Sequence, residues 1–494
     1  MYSLGIDIGS SSVKVSLLDI QSGKCVAAAT NPKKEAPITA VRKGWAEQSP
    51  EMWWIFIQQG IAEIAAKGFS MYEVGCVGIT YQMHGLVAVD AKGKPVRDSI
   101  IWCDSRAVEL GARAFTEIGP EKCLEHLLGS PGNFTASKLA WVKENEPKTF
   151  AKIARFMLPG DYIAYKLSGH FATTETGLSE QTLWDFKEGC RADFVADYYG
   201  FTTALIPETV PSIGVQAVTN ADTQALLGIP EGTPISYRAG DQPNNAFSLN
   251  VLRPGEIAAT GGTSGVVYGV TDVPKADPQS RVNTFLHVNH TASEPRLGVL
   301  LCINGTGILN SWIHRNMCPE LSYPQMNELA ATAPAGSDGL TILPFGNGAE
   351  RVLEGRSIGA ALGGVDLVRH SRAHILRASQ EGIAFSFLYG IDVMRELGLN
   401  PAVIRAGKAN LFLSPLFRDT LATVCGSTIE LLDTDGSLGA ARGAALGAGY
   451  YNTPEEAFST LAVVGRTEPN ASWKQALDEA YARWKTNLES ILTQ

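Results

Sequence analysis

Residues 7–15, DIGSSSVKV, carry the strongest indication of the fold. Apolar residues alternate with small or polar ones over residues 2–8 and again over residues 13–19, which predicts two β-strands joined by a tight turn. A similar stretch, GTSGVVY at residues 262–268, recurs about half a chain further on, with a glycine and hydroxyl residues between β-rich flanks. The similarity favours a duplicated domain with a boundary near residues 245–255, although short Gly-rich windows also match by chance.

Strand and helix patterns are mixed along the rest of the chain. A helical period begins at Pro50 and places Trp53 and Ile57 on one face, with Ser49 as a candidate N-cap, and a strand is predicted at residues 74–80. Further helices are predicted at residues 138–145, 160–167, 372–396 and 472–492. The order strand, strand, strand, helix, strand predicts α/β domains with mixed sheets rather than an all-parallel sheet.

The composition is that of an ordinary globular protein and excludes several classes. The chain has 494 residues, of which 45% are hydrophobic and 18% charged, and this length favours about two to four domains. A net charge of -9, without runs of like charge, argues against nucleic acid as a partner. Eight cysteines without a CxxC pair, the lack of a signal-peptide pattern and the lack of an apolar run of about 18 residues predict a cytoplasmic protein without a membrane anchor.

Both Gly-rich stretches have the features of phosphate-binding loops. In the first, backbone N–H groups and the hydroxyls of residues 10–12 can converge on an anion, and Lys14 adds positive charge. Asp7 stands just ahead of this turn and can supply the carboxylate oxygen that Mg²⁺ near phosphates requires. The second stretch, residues 260–265, offers similar donors without a charged side chain. Neither matches the GxxxxGK[ST] pattern, and simple hairpin turns are the alternative interpretation.

Asp241 is the candidate general base. It lies in RAGDQPNN, residues 238–245, among amide side chains and close to the predicted domain junction. A carboxylate that takes a proton from a substrate hydroxyl must lie within hydrogen-bonding reach of it, and the neighbouring amide of Gln242 can orient the same substrate. An Asx-turn at a strand end is the alternative interpretation.

The segment YQMHG, residues 81–85, connects two predicted strands and can recognise a ligand with hydroxyl groups. Gln82 and His84 provide hydrogen-bonding side chains, and Met83 can line a pocket. A structural histidine is the alternative interpretation.

The segment WCDSR, residues 102–106, has a similar character. Trp102 together with Asp104 and Arg106 can build the sugar side of a pocket. Alternatively, Asp104 and Arg106 form a structural ion pair.

Taken together, these motifs resemble the FGGY family of carbohydrate kinases over almost the whole chain, and most closely its xylulokinase branch. Residues 134–145 and 360–381 resemble two family signatures, although Asn133 and Gln380 depart from the usual residues, and residues 436–445 resemble the family's Gly/Ala-rich close. The resemblance implies an actin-like α/β fold of two duplicated ribonuclease-H-like domains with mixed sheets, which close on a sugar with ATP in the cleft.

The resemblance also implies a division of the chain and a role for each site residue. An N-terminal domain with the sugar side and the first phosphate loop would span residues 1–248, a C-terminal nucleotide-side domain residues 249–450, and a helical extension residues 451–494. Asp241 becomes the catalytic base, and Asp7 the acid beside Mg²⁺. The implied substrate-binding residues are Met83, His84, Trp102, Asp104, Asp241 and Gln242. The implied ATP-binding residues are Ser10, Ser11, Ser12, Lys14, Gly262, Thr263, Gly307, Gly407 and Asn410.

The implied activity is ATP-dependent phosphorylation of D-xylulose to D-xylulose 5-phosphate. Residues 407–414 and the Asp241-Gln242 pair are more similar to glycerol kinases, but Met83-His84 stands where those enzymes have Arg-Glu, which favours a ketose. Ribulose, fuculose, gluconate and glycerol are the alternative substrates. A silent sugar or nucleotide sensor, or an assembly or chaperone-type actin relative, fits less well, because neither needs a base beside two phosphate loops and a sugar segment. A homodimer is compatible with the resemblance, since dimers are common in the family.

Overall fold

Two β-sheets with flanking helices form the architecture of the computed structural model, which describes residues 1–493. The first sheet has the spatial order Ile213–Val218, Pro234–Gly240, Val74–Tyr81, Tyr2–Ile8, Val13–Asp19 and Lys24–Asn31. The second has the order Asn283–Leu286, Leu297–Ile303, Gly265–Thr271, Ile257–Gly261, Val403–Gly407, Thr428–Leu432 and Val463–Thr467. Short ribbons pair Glu47–Gln48 with Ser99–Ile100, Val87–Val89 with Arg155–Met157, Ala172–Thr174 with Glu208–Val210, Trp184–Asp185 with Cys190–Arg191, and Thr341–Leu343 with Ala361–Gly363.

Helices cover both sheets and fill the connections between strands. The α-helices are Pro50–Ala66, Val108–Ile118, Pro120–His126, Thr135–Asn145, Pro147–Phe150, Pro159–Ser168, Glu175–Glu180, Asp193–Tyr199, Ala221–Leu227, Asp241–Ser248, Gly307–Met317, Tyr323–Ala331, Arg372–Glu396, Pro415–Cys425, Gly436–Gly447, Pro454–Phe458 and Lys474–Leu492. Short 3₁₀ turns lie at Met71–Glu73, Thr203–Leu205, Ser337–Gly339, Arg351–Leu353 and Asn410–Leu413. Among residues 1–493, no helix combines the length and the hydropathy that a membrane crossing requires.

The two sheets repeat one topology, as the recurring loop predicts. Counted from its antiparallel side, each has three antiparallel strands, then two strands parallel to the third, then one antiparallel strand. The second sheet adds Asn283–Leu286 at its edge. The third strand is Tyr2–Ile8 in the first sheet and Ile257–Gly261 in the second, so residues 9–12, here called the serine turn, and residues 262–264 occupy equivalent positions. The predicted duplication and mixed sheets are confirmed.

The helix Gly436–Gly447 follows a strand of the second sheet but packs on a face of the first. Small residues permit this close approach. A Cβ atom added to Gly5 would lie 1.8 Å from the carbonyl oxygen of Ser437, and one added to Gly78 would lie 2.0 Å from that of Ala440. The small residues of these strands therefore face a helix rather than solvent.

Most predicted elements agree closely with the structure. The helix Pro50–Ala66 begins at the predicted proline, although the side chain of Ser49 forms no capping hydrogen bond, and Arg372–Glu396 has the predicted bounds. The segment predicted as a helical extension, residues 451–494, is not entirely helical. Its strand Val463–Thr467 pairs with the second sheet, where β-branched residues are favoured.

Candidate active site

Three parallel strands of the first sheet end at the same level. Their last residues, Ile8, Tyr81 and Gly240, are paired with one another across the sheet. The segments that follow are the serine turn, residues 82–85, here called the QMHG segment, and Asp241. Because the carboxyl ends of parallel strands meet at one edge, the structure brings together the residues that the sequence proposes for phosphate binding, ligand recognition and proton transfer.

Two carboxylates form the acidic centre of this edge. Burial, together with the charges of Asp241 and Asp435, raises the pKa of Asp7 to about 7, and the charge of Lys14 opposes the rise. Burial raises the pKa of Asp241 to about 6, and hydrogen bonds from Gln242 oppose the rise. A carboxylate with a pKa close to neutrality is well suited to accept a proton at physiological pH.

The serine turn is tied to its neighbours by Gln48 and Trp102. Gln48 donates from Nε2 to the carbonyl oxygen of Ser10 at 2.7 Å. Its Oε1 accepts hydrogen bonds from Gln82 and Trp53, each at 3.2 Å. Trp102 is 52% exposed and donates from Nε1 to the hydroxyl oxygen of Ser10 at 3.4 Å. The structure therefore brings the predicted aromatic residue beside the first phosphate loop.

Other polar groups of the first loop already have partners within the chain. The carbonyl oxygen of Ser12 accepts a hydrogen bond from the N–H of the glycine that opens the turn, at 3.0 Å. Ser11 donates from Oγ to Glu35 at 3.2 Å. Lys14 forms an ion pair with Asp435 at 2.5 Å. The ammonium group of Lys14 thus lies close to the acidic centre, where it partly neutralises Asp435.

Met83 and Glu180 lie against the residue that precedes Asp241, and His84 contacts Glu180. A Cβ atom added to Gly240 would lie 2.6 Å from Cγ of Met83 and 2.6 Å from Oε2 of Glu180. Met83 is 4% exposed and Glu180 1% exposed, so both side chains are buried. The backbone N–H of His84 donates to Oε1 of Glu180 at 3.3 Å. The lack of a side chain at Gly240 is what lets these groups approach the candidate base.

Asp104 is buried in a structural ion pair and is 1% exposed. Its carboxylate accepts hydrogen bonds from Nε of Arg106 at 3.0 and 2.9 Å, from Nη2 of Arg106 at 2.7 Å and from the N–H of Ala46 at 2.6 Å. Of the two interpretations of the WCDSR segment, the geometry supports the ion pair for Asp104, and it leaves Trp102 as the accessible side chain.

Buried amide oxygens near this edge lack partners. Within residues 1–493, Oε1 of Gln82, Oε1 of Gln242 and Oδ1 of Asn133 accept no hydrogen bond. The other amide atom of Asn133, Nδ2, donates to the carbonyl oxygen of Asp104. Buried acceptors normally have donors, and a ligand rich in hydroxyl groups would supply them.

A cavity of about 950 Å³ adjoins the second loop. Four of the predicted ATP-binding residues line it, namely Gly262, Thr263, Gly307 and Asn410. The carbonyl oxygens of Gly262 and Thr263 accept hydrogen bonds from the N–H groups of Gly307 and the next residue, each at 3.0 Å. Gly407 ends the strand Val403–Gly407 and lies outside this lining. The volume is in the range of about 300–1,000 Å³ that is usual for sites of small molecules and cofactors.

Family models match both halves of the chain. The FGGY family of carbohydrate kinases, N-terminal domain, matches residues 2–248, and the C-terminal domain of the same family matches residues 257–451. The chain belongs to the FGGY family of carbohydrate kinases. The resemblance drawn from the sequence motifs is confirmed.

Individual FGGY relatives match over nearly their full length. The chain is 30% identical to the xylulose kinase of Bacillus subtilis (strain 168), over 92% of this chain and 90% of that protein. It is 29% identical to the L-xylulose/3-keto-L-gulonate kinase of Escherichia coli (strain K12), over 98% of this chain and 96% of that protein. The structure of ligand-bound xylulose kinase from Lactobacillus acidophilus matches with a TM-score of 0.90 and 21% identity, over 99% of this chain and 98% of that one. The predicted two-domain actin-like fold is confirmed.

Two further residues that contact the candidate site were not predicted from the sequence. Gln48 lies in the two-residue strand Glu47–Gln48, and Glu180 ends the short helix Glu175–Glu180. Each contacts segments that are distant in sequence. Neither lies in a sequence motif that indicates a catalytic or binding function. The only sequence signal is a single acid within TGLSEQTLW, residues 176–184, a stretch otherwise free of charge.

Proposed function

We propose that this FGGY kinase transfers the γ-phosphoryl group of ATP to D-xylulose, giving D-xylulose 5-phosphate and ADP. The observation that carries the proposal is the sheet edge shared by Asp241, the QMHG segment and the serine turn. Similarity to relatives named xylulose kinase supports a ketose as the acceptor. The proposal includes a cytoplasmic location, a role in xylose metabolism and a homodimeric assembly.

In the proposed reaction, Asp241 accepts the proton of the attacking sugar hydroxyl. The hydroxyl oxygen forms a bond to the γ-phosphorus while the bond from that phosphorus to the β,γ-bridging oxygen breaks, and ADP leaves with the electron pair. Donors from the serine turn and from Thr263 stabilise charge on the phosphoryl oxygens. The QMHG segment, Trp102 and Gln242 hold the sugar, and closure of the two domains excludes water.

Asp7 fits the role of the residue that holds Mg²⁺ beside the phosphates. No residue among 1–493 donates a hydrogen bond to its carboxylate, so its oxygens are available to a cation. Within the same residues, no group of three or more His, Cys, Asp or Glu side chains is placed to hold a metal ion. When bound, Mg²⁺ would neutralise charge on the phosphate oxygens.

A panel of acceptors tests the substrate. We expect Mg-ATP and D-xylulose to release ADP at a rate well above that with D-ribulose, L-fuculose, gluconate or glycerol, measured in parallel with a coupled ADP assay. Selective turnover of another panel member would contradict the ketose assignment but leave Asp241 and both loops in their roles. Rapid ADP release without any sugar would contradict the proposal of a sugar kinase.

The raised pKa of Asp241 predicts a pH dependence. Only the ionised carboxylate can accept the hydroxyl proton, so kcat/KM for the sugar is expected to fall as the pH is lowered through about 6. The measurement is kcat/KM across a buffer series at constant ionic strength and saturating Mg-ATP. A constant kcat/KM down to about pH 5 would contradict a base with a raised pKa.

A further inference from the structure

His84 adopts an unusual backbone conformation within the QMHG segment. Its φ angle is 62°, in the left-handed region that residues other than glycine rarely occupy. Such a conformation persists only where the surrounding structure holds it, and it concentrates at sites of function. The contacts that hold His84 are therefore informative about the site.

Two buried residues fix the backbone of His84. Its N–H donates to Oε1 of Glu180 at 3.3 Å, and its carbonyl oxygen accepts a hydrogen bond from Nζ of Lys138 at 2.7 Å. Lys138 is fully buried and also donates to the carbonyl oxygen of Ile101 at 3.1 Å, next to Trp102. One ammonium group thus joins the QMHG segment to the residue that precedes the WCDSR segment.

The same surroundings determine the state of the imidazole ring. Nδ1 of His84 lies 3.1 Å from the carbonyl oxygen of Glu180, and since a carbonyl only accepts, Nδ1 must carry a proton. Burial and the charge of Lys138 lower the pKa of His84 to about 3, so the ring is neutral. The rings of Phe134 and Phe285 pack against it, with centroids 4.6 and 5.4 Å away. Nε2 therefore retains its lone pair, and no residue among 1–493 donates to it.

We propose that Glu180 and Lys138 are positioning residues for the sugar. Their side chains hold the backbone of His84, and this places the ring against the carbonyl oxygen of Glu180, which keeps Nδ1 protonated, so that Nε2 accepts a hydrogen bond from a sugar hydroxyl. This inference rests on the proposed function, because the ligand is the acceptor sugar. It requires a hydroxyl donor opposite Nε2. A carbonyl or carboxylate oxygen at that position would face a lone pair and bind poorly.

Substitutions at both positions test the positioning role. Glu180→Leu removes the acceptor for the N–H of His84 at similar length, and Lys138→Met removes the ammonium group. Each is expected to raise KM for the sugar about tenfold, because a buried polar group loses its partner, with kcat and KM for ATP within about twofold of wild type. Unchanged sugar KM in folded Glu180→Leu and Lys138→Met proteins would overturn the proposal.

Matched variants separate positioning from general stability. Glu180→Gln keeps the side-chain length and a carbonyl acceptor, and it is expected to restore a near wild-type KM for the sugar. Lys143 lies on the same helix as Lys138 and also donates to two carbonyl oxygens, those of Tyr199 and Gly200, at 2.7 and 2.8 Å. Lys143→Met is expected to leave the sugar KM unchanged. An equal rise in KM in Lys143→Met would assign the effect to loss of helix packing.

The tautomer of the His84 ring can be measured in the wild-type protein. This measurement does not depend on whether the Glu180 and Lys138 variants fold. The chain has 8 histidines, and comparison of ¹⁵N-histidine spectra of wild type and His84→Gln assigns the resonances of His84. We expect the neutral tautomer with Nδ1 protonated, and a shift of Nε2 on addition of D-xylulose. An Nε2-protonated ring or an imidazolium at neutral pH would overturn the proposal. If D-xylulose shifts Nε2 of the Nδ1-protonated ring but is not phosphorylated, only the proposed function fails.

Discussion

Asp241→Asn is expected to lower kcat for sugar phosphorylation by about 10²- to 10⁴-fold, the usual effect of removing a general base. Asparagine has the shape of aspartate but cannot accept the proton of the attacking hydroxyl. The affinity for ATP should stay within about twofold of wild type, because other residues line the cavity at the second loop. Coupled ADP release gives kcat, and calorimetric titration with a non-hydrolysable ATP analogue gives the affinity.

Asp222→Asn is the matched control for this substitution. Asp222 also lies in the first turn of a helix, Ala221–Leu227, but it is exposed and belongs to none of the segments that follow the shared strand ends. Its replacement should leave kcat unchanged. If Asp241→Asn keeps more than about a tenth of wild-type kcat, the carboxylate is not the proton acceptor, and the assignment of the base is wrong.

The fold was largely predictable from sequence because both halves carry the same local signals. The strands Tyr2–Ile8 and Val13–Asp19 have the predicted bounds, and the repeated Gly-hydroxyl turn indicates the duplication that the two sheet orders confirm. The path of Gly436–Gly447 onto the first sheet was not predictable. It depends on complementary small residues far apart in sequence, and no local pattern reports such a contact.

The candidate site was predictable where chemistry and position coincide in one short segment. Asp241, Met83 and His84 each follow a buried strand, and the paired strand ends bring them together. Asp104 lies in an equally suggestive segment, but its carboxylate is used by Arg106. The sequence does not show whether the Asp104 carboxylate contacts a ligand or the nearby Arg106. This assignment therefore requires the tertiary structure.

Gly5→Ala is expected to lower the free energy of unfolding by about 3 kcal/mol, at the upper end of the usual cost of overpacking a core. The added Cβ would lie 1.8 Å from the carbonyl oxygen of Ser437 and 2.9 Å from the backbone nitrogen of Ala441. Both are backbone atoms of a helix, so no side chain can rotate away, and the helix must move off the sheet. A fall in melting temperature of about 3 °C or more in a thermal unfolding experiment would match this cost in a chain of 494 residues.

The same substitution should also reduce catalysis, because the displaced helix begins beside the acidic centre. A Cβ atom at Gly436 would lie 2.3 Å from Oδ2 of Asp7, so a shift of this helix changes the surroundings of that carboxylate. Gly129→Ala is the control, since Gly129 has open space for a Cβ and no positive φ. It should change stability by less than about 0.5 kcal/mol and leave kcat unaltered. A Gly5→Ala protein as stable as Gly129→Ala would show that the helix does not pack against this strand in solution.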